Sequence, residues 1–209
     1  MSDYSEVGLL KWGISILVPA ISGLSGVAIG AFLTTRRETL NRKYKFIERQ
    51  LTDFYSPLLA IRMDLKVSGE LRLRISNTAD SEWRKLCARF EGQPDELRKL
   101  SETSGEKFNK IIGYDNEKLR NKDIPAYHKM LEIIQNNMWL AEKSTLKHFP
   151  KLIEFVDLWD RFLKETLPGE VVQALDHSEK SLYPLYEDLQ HRHDELRAKL
   201  SEEKILFKC

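Results

Sequence analysis

Between Trp12 and Leu33 lie 22 residues without a charge, in a 209-residue chain that carries 33 Lys and Arg and 32 Asp and Glu everywhere else. As a helix rising about 1.5 Å per residue, this run is about 33 Å long, enough for a hydrocarbon layer of roughly 30 Å. A stretch of such length either crosses a membrane or is buried on every side. Lys11 at one flank and Arg36 and Arg37 at the other favour crossing. The expected fold is therefore all-α, with one N-terminal transmembrane helix continuing into a cytosolic helical bundle. Its parts would be a short extracytoplasmic tail (1–11), the membrane helix (12–33), a basic neck with a long kinked helix (34–76) and the rest of the bundle (77–209).

A cleaved signal peptide is the rival reading, since Ala28 and Gly30 are small residues two apart. Its flanks oppose it: Asp3 and Glu6 precede the run, where an export signal is basic, and the cluster TTRRETLNRKYK that follows resists translocation. Orientation comes from the same asymmetry. Arg36, Arg37, Arg42, Lys43 and Lys45 on the C-terminal side outweigh Lys11, so the large domain is expected in the cytoplasm at the plasma (inner) membrane. Ser22, Gly26 and Gly30 recur every fourth residue and form a small-residue strip suited to close helix packing, hence a possible homo-oligomer. Pro19 is expected to kink the segment, and without an ionisable residue a one-helix ion pathway has no support.

Residues Arg36 to Arg49 hold six basic and two acidic side chains. Beside a membrane segment the natural partner of such a neck is the anionic lipid of the inner leaflet, which attracts each nearby cation by about 1 kcal/mol. The chain's net charge of +1 gives no global reason to expect nucleic acid. Leu40, Tyr44, Ile47, Leu51, Phe54, Leu58, Ile61 and Leu65 alternate by four and three, a seam of almost four heptads. Tyr55, Leu59 and Met63 widen that face, which favours packing within the chain over a two-stranded zipper. Pro57 must remove a hydrogen bond and bend or restart the helix near Tyr55 and Ser56, yet the heptad phase survives it.

Further on, ELRLRIS fits both a strand and a helix period, and is taken as helix ending near SNTAD because a lone strand has no partner. Trp83, Leu86, Cys87 and Phe90 predict an amphipathic helix stopped by Gly92 and Pro94. One or two short helices precede a polar loop GYDNEKLRNKD. Pro125 and Pro150 stand where first-turn prolines open helices, with Tyr127, Leu131, Ile134 and Met138, and Leu152, Val156, Trp159 and Leu163, on the inner faces. Pro168 and Gly169 break the chain, and a last helix carries Leu182, Leu185, Leu189, Leu196 and Leu200.

Catalytic motifs are missing from this sequence: there is no phosphate loop, GxSxG, HExxH or GxGxxG. Cys87 and Cys209 lack metal or redox spacing, and Cys87 fits a small apolar helix residue. His191 and His193 lie about 200 degrees apart on a helix and cannot share a metal. Asp188 and His191 make half of a di-iron carboxylate motif without a second copy, so surface histidines paired with Glu187 or Glu195 are expected. Trp83, Trp139, Trp159, Tyr183 and Tyr186 are core candidates first and an aromatic pocket second. No enzyme activity, cofactor or metal is expected.

ERQLTDFYSPLLAIRMDLKVSGELRLRI, and above all Phe54, Tyr55, Pro57, Leu58 and Leu71, resembles a loosely defined group of uncharacterised bacterial proteins with one N-terminal membrane helix followed by an FYxPL-containing helix. The resemblance covers about the first 80 residues and implies a bacterial inner-membrane protein with a cytosolic helical domain. It brings no catalytic residue with it. The function expected is a membrane-anchored, non-catalytic interaction or oligomerisation module, whose partner is itself or an unknown cytosolic protein. The alternative is a membrane-perturbing effector of toxin or antiviral defence type, triggered through the helical domain.

Overall fold

A computed structural model describes the backbone of residues 30–206 and the side chains of residues 30–201. Among these, every regular element is helical and there is no strand, so ELRLRIS is helix. The chain divides into two compact units, Met1–Glu48 and Arg49–Cys209. In the first, the described residues 30–48 are all helical and are here helix α1. Thr34, Thr35 and Thr39 each donate their hydroxyl to the carbonyl four residues back, at 2.9 Å, so these polar groups are satisfied by their own helix. No helix among the described residues is long and apolar enough to cross a membrane. Of the uncharged run only residues 30–33 are described; Pro19, Ser22 and Gly26 lie outside the described residues.

The second unit opens on a π turn, Gln50–Tyr55, which leads into helix α2, Ser56–Ala88. Proline explains the widened turn. Pro57 has no N–H and its ring collides with the carbonyl four residues back, so the helix survives only if the preceding turn expands. The Ser56 N–H accordingly reaches five residues back to the Leu51 carbonyl. The same solution recurs before Pro125. There the π turn Leu119–Asp123 leads into helix α4, Ile124–Asn136, and the Ile124 N–H bonds to the Leu119 carbonyl. The expected bend at Pro57 is thus a local widening of the helix.

Two expected breaks do not occur. Helix α2 runs through SNTAD to Ala88, because those five residues, four of them polar, contain neither Gly nor Pro and lie on a largely exposed stretch where polar side chains cost a helix little. GYDNEKLRNKD is not a loop: its first six residues complete helix α3, Pro94–Lys118, and the remaining five are the second π turn. The turn between α2 and α3 does use Gly92, at φ +80°, and Pro94 opens α3 with Asp95 and Glu96 in its first turn.

A 3-10 turn, Met138–Leu140, follows α4, then the single-turn helix α5, Lys143–Leu146. Helix α6, Phe149–Leu163, starts on Pro150 as expected. It ends in a hydrogen-bonded C-cap: Thr166 N–H to the Arg161 carbonyl at 2.9 Å and Glu165 N–H to that of Phe162 at 3.0 Å, with Glu165 at φ 56°. The short helix α7, Gly169–Ala174, and a 3-10 turn, Glu179–Leu182, precede helix α8, Tyr183–Leu206.

Helices α2, α4, α6 and α8 share one core. Phe54, Tyr55 and Leu58, Met130 and Ile134 of α4, Leu152 and Phe155 of α6, and Leu185 and Leu189 of α8 are all buried. Met138, expected on the inner face of α4, lies beyond its end on the 3-10 turn and is 44% exposed. No residue between Ser68 and Asp123 is buried. The far half of α2 and all of α3 therefore form a helical hairpin that no third helix covers among the described residues, held by half-buried contacts such as Trp83 against Phe108 at 5.1 Å between ring centroids.

Candidate interaction surface

The cations of the neck come first. Arg36, Arg37, Arg42, Lys43 and Lys45 are all exposed, and Arg42 lies 3.9 Å from the Glu38 carboxylate. At about 100 degrees per residue they point in directions spread around most of α1. They form a collar rather than a stripe. Leu40, Tyr44 and Ile47 occupy one side of the same helix and are half-buried. An added Cβ at Gly30 would meet no atom within 4 Å.

In the second unit, the remaining seam residues Leu51, Phe54, Leu58 and Leu65 are buried and Ile61 is half-buried. They flank a polar chain that pattern reading did not find. Gln50, 3% exposed, donates to the Leu140 carbonyl at 2.8 Å. Tyr55 accepts the Glu142 N–H at 3.1 Å and lies 3.2 Å from the Thr145 hydroxyl, which donates to Asp188 Oδ2 at 2.6 Å. A carboxylate only accepts, so the order is fixed: Tyr55 donates to Thr145 and Thr145 to Asp188. Burial holds the Tyr55 hydroxyl above its ordinary pKa, so it stays a donor. Beside this chain Arg192 donates to Ser144 at 3.1 Å and to Glu195 at 2.6 Å, while Arg49 stacks over Trp139 at 4.6 Å. These bonds clamp residues 139–145 between the FYSPL segment and α8.

A second polar group joins α2 to α8. Arg62 donates to Glu179 at 3.0 Å and lies 4.0 Å over the Tyr186 ring, and the Tyr186 hydroxyl donates to the same carboxylate at 3.3 Å. Burial raises the pKa of both Tyr186 and Tyr127, so both stay protonated. The third group is at the hairpin base. Asp123 is 7% exposed, with Oδ2 3.6 Å from Arg72 and Oδ1 without a hydrogen-bond partner. Desolvation raises its pKa more than Arg72, Lys118 and Lys122 lower it.

None of these groups has the form of a reaction centre. Asp188 is occupied by Thr145, and His191 pairs with Glu195 at 3.5 Å. Among the described residues no three His, Cys, Asp or Glu side chains are grouped to hold a metal. The aromatic residues are dispersed: Trp83 packs on Phe108, Trp159 on Phe155, Phe162 and His177, and Trp139 lies under Arg49. Cys87 is half-buried near the end of α2.

The hairpin offers an apolar surface. A groove of about 440 Å³ runs between α2 and α3, walled by Leu71, Ile75, Phe108 and Ile111, with Arg74 and Glu82 at its rim. Leu71 is 44% and Ile75 41% exposed. Single exposed apolar residues are ordinary; a connected set along a groove marks a contact surface. The sequence pattern put Leu71 on a helix but did not separate it from the core, because a period shows which residues share a face and not which neighbour covers it. No family model matches the chain, and neither curated proteins nor solved structures give a match.

Proposed function

We propose that the chain is a single-pass membrane-anchored protein, N-terminus outside and C-terminal domain inside, whose cytosolic helical domain is a non-catalytic interaction module at the inner leaflet. The observation that carries this is the hairpin of α2 and α3, which presents an apolar groove without a covering helix among the described residues. The cation collar supports the anchored part. A helix lying along a lipid surface needs its charges on one side, whereas one leaving the bilayer steeply meets headgroups all round, and cations in several directions suit the second case. The uncharged run supplies the anchor, and the FYxPL resemblance agrees with a bacterial inner-membrane setting.

Two measurements test the reading. A reporter active only outside the cytoplasm and fused at Cys209 is expected to be silent; strong activity refutes the topology. Cross-linking in intact cells is expected to trap the chain in a larger species that the double substitution Leu71→Glu and Ile75→Glu removes. A chain that stays uncross-linked, or species indifferent to both changes, refutes the interaction module.

A further inference from the structure

We infer that the groove's partner is a second copy of this chain, joined through α2 in an antiparallel, two-fold arrangement centred on Thr78. This rests on the interaction reading above and names its partner. Along the outer side of α2, Val67, Leu71, Arg74, Thr78, Glu82 and Lys85 follow one another by three or four residues, so they share a face distinct from the one that buries Leu58 and Leu65. That face is self-complementary. Arg74 and Glu82 stand four residues on either side of Thr78, and both border the groove. A two-fold axis at Thr78 reverses one α2 against the other and places each Arg74 opposite the other copy's Glu82, giving two ion pairs. The same operation sets Leu71 against the aliphatic stem of Lys85.

The charges are available for this. Arg74 has no carboxylate partner in its own chain among the described residues, and Glu82 holds only the exposed Lys85 at 2.7 Å, a pair of little worth. Thr78 directs its hydroxyl to the Arg74 carbonyl at 2.8 Å, leaving a small, satisfied side chain at the axis where two helices come nearest. Two such hairpins make a four-helix bundle, in which Leu71, Ile75, Phe108 and Ile111 of each copy become core. The size is adequate. The strip from Val67 to Arg89 is about 33 Å long at 1.5 Å per residue. A contact roughly 20 Å wide along it covers about 660 Å² a side, within the range of about 600–1,000 Å² per partner for stable complexes. An unrelated partner would need matching charges; a second copy carries them already.

The test uses the full-length chain in mild detergent with Cys87→Ser and Cys209→Ser. Thr78→Cys is expected to form a disulfide-linked dimer under mild oxidation, whereas Asn77→Cys, turned off the face, is expected to form at least tenfold less. Adding Arg74→Glu to Thr78→Cys should cut the cross-link by at least tenfold, and further adding Glu82→Arg should restore it. Far-UV circular dichroism confirms that each variant remains helical, and sedimentation equilibrium of the unaltered chain provides a second measure, with a dimer expected. The inference is overturned if Thr78→Cys links no better than Asn77→Cys, if Arg74→Glu changes nothing, if the charge exchange fails to restore linkage, or if the unaltered chain is monomeric. Should these fail while the Leu71 and Ile75 changes still remove cross-linked species in cells, the interaction module stands and only the second copy falls.

Discussion

Tyr55→Phe isolates the polar chain from the packing around it. The ring is fully buried and stands edge-on to Phe54, centroids 4.9 Å apart at 79°, and Phe keeps all of that. What disappears is one oxygen with two bonds, to Thr145 at 3.2 Å and from the Glu142 N–H at 3.1 Å. Thr145 retains Asp188, but the Glu142 N–H is left in a partly buried place without its acceptor. At about 1 kcal/mol net for each lost bond, the cost is about 2 kcal/mol. For a chain of this size that is a fall in Tm of about 4–8 °C. Urea unfolding followed by circular dichroism should show a lower midpoint at an unchanged m-value. A loss below about 0.5 kcal/mol would contradict the assigned chain. Thr145→Val sharpens the test: because both changes break the same link, the double variant should lose less than the sum of the two, by at least about 0.5 kcal/mol. Simple additivity would refute the bond between Tyr55 and Thr145.

Asp123 behaves in the opposite sense. Its folded pKa is raised above 3.8, so the folded state keeps a proton that the unfolded chain has released, and stability falls as pH rises from about 4 through the folded pKa. Asp123→Asn should therefore flatten the pH dependence of the urea midpoint in that window and be neutral or stabilising, up to about 1 kcal/mol, at pH 7; a loss there would show that the Arg72 contact outweighs burial. Glu165→Gly should raise Tm by about 2–4 °C, since Glu165 occupies the left-handed position of a helix cap where Gly avoids a cost of about 1 kcal/mol; an unchanged melting curve counts against strain at that cap.

What was legible in the sequence was whatever proline or apolar period dictates. Pro150 opens a helix as expected because it lacks the N–H that a first turn does not use; Pro94, read only as a stop, opens one too, and Pro125 sits in a helix that continues from α3 through the widened turn. Leu51, Phe54, Leu58 and Leu65 are buried because spacing by three and four keeps them on one side. Polar composition misled at SNTAD and GYDNEKLRNKD, which are helical because exposed polar side chains suit a helix and a single Gly113 costs it only about 1 kcal/mol. Of the buried polar residues, Gln50, Ser68, Asp123 and Thr145, the first, third and fourth gave no periodic signal: each is polar at a position where only the three-dimensional neighbour explains it. Gln50 beside Leu51 and Asp123 just before Ile124 and Pro125 were the available hints, polar residues set directly against apolar ones.

The two π turns bear different loads. Both arise upstream of a proline, and both put buried polar groups where the helix is widest. At the first, Gln50 and Tyr55 are satisfied by the 140–145 segment. At the second, Asp123 keeps one oxygen unpaired. That second turn is where α3 returns to the core, and the side chains that hold it to α2 are Arg72 with Asp123 at 3.6 Å and Lys122 with Asp64 at 3.1 Å, the latter pair more than half exposed. Exposed pairs contribute at most about 1 kcal/mol, and a burial-raised carboxyl offsets part of that. The return of α3 is therefore held to α2 by weak polar contacts, and the hairpin lacks buried apolar residues of its own from Gly69 to Lys122. An element built this way gains more from an outside partner than any other part of the second unit, because covering Leu71, Ile75, Phe108 and Ile111 supplies the apolar burial that its own chain does not.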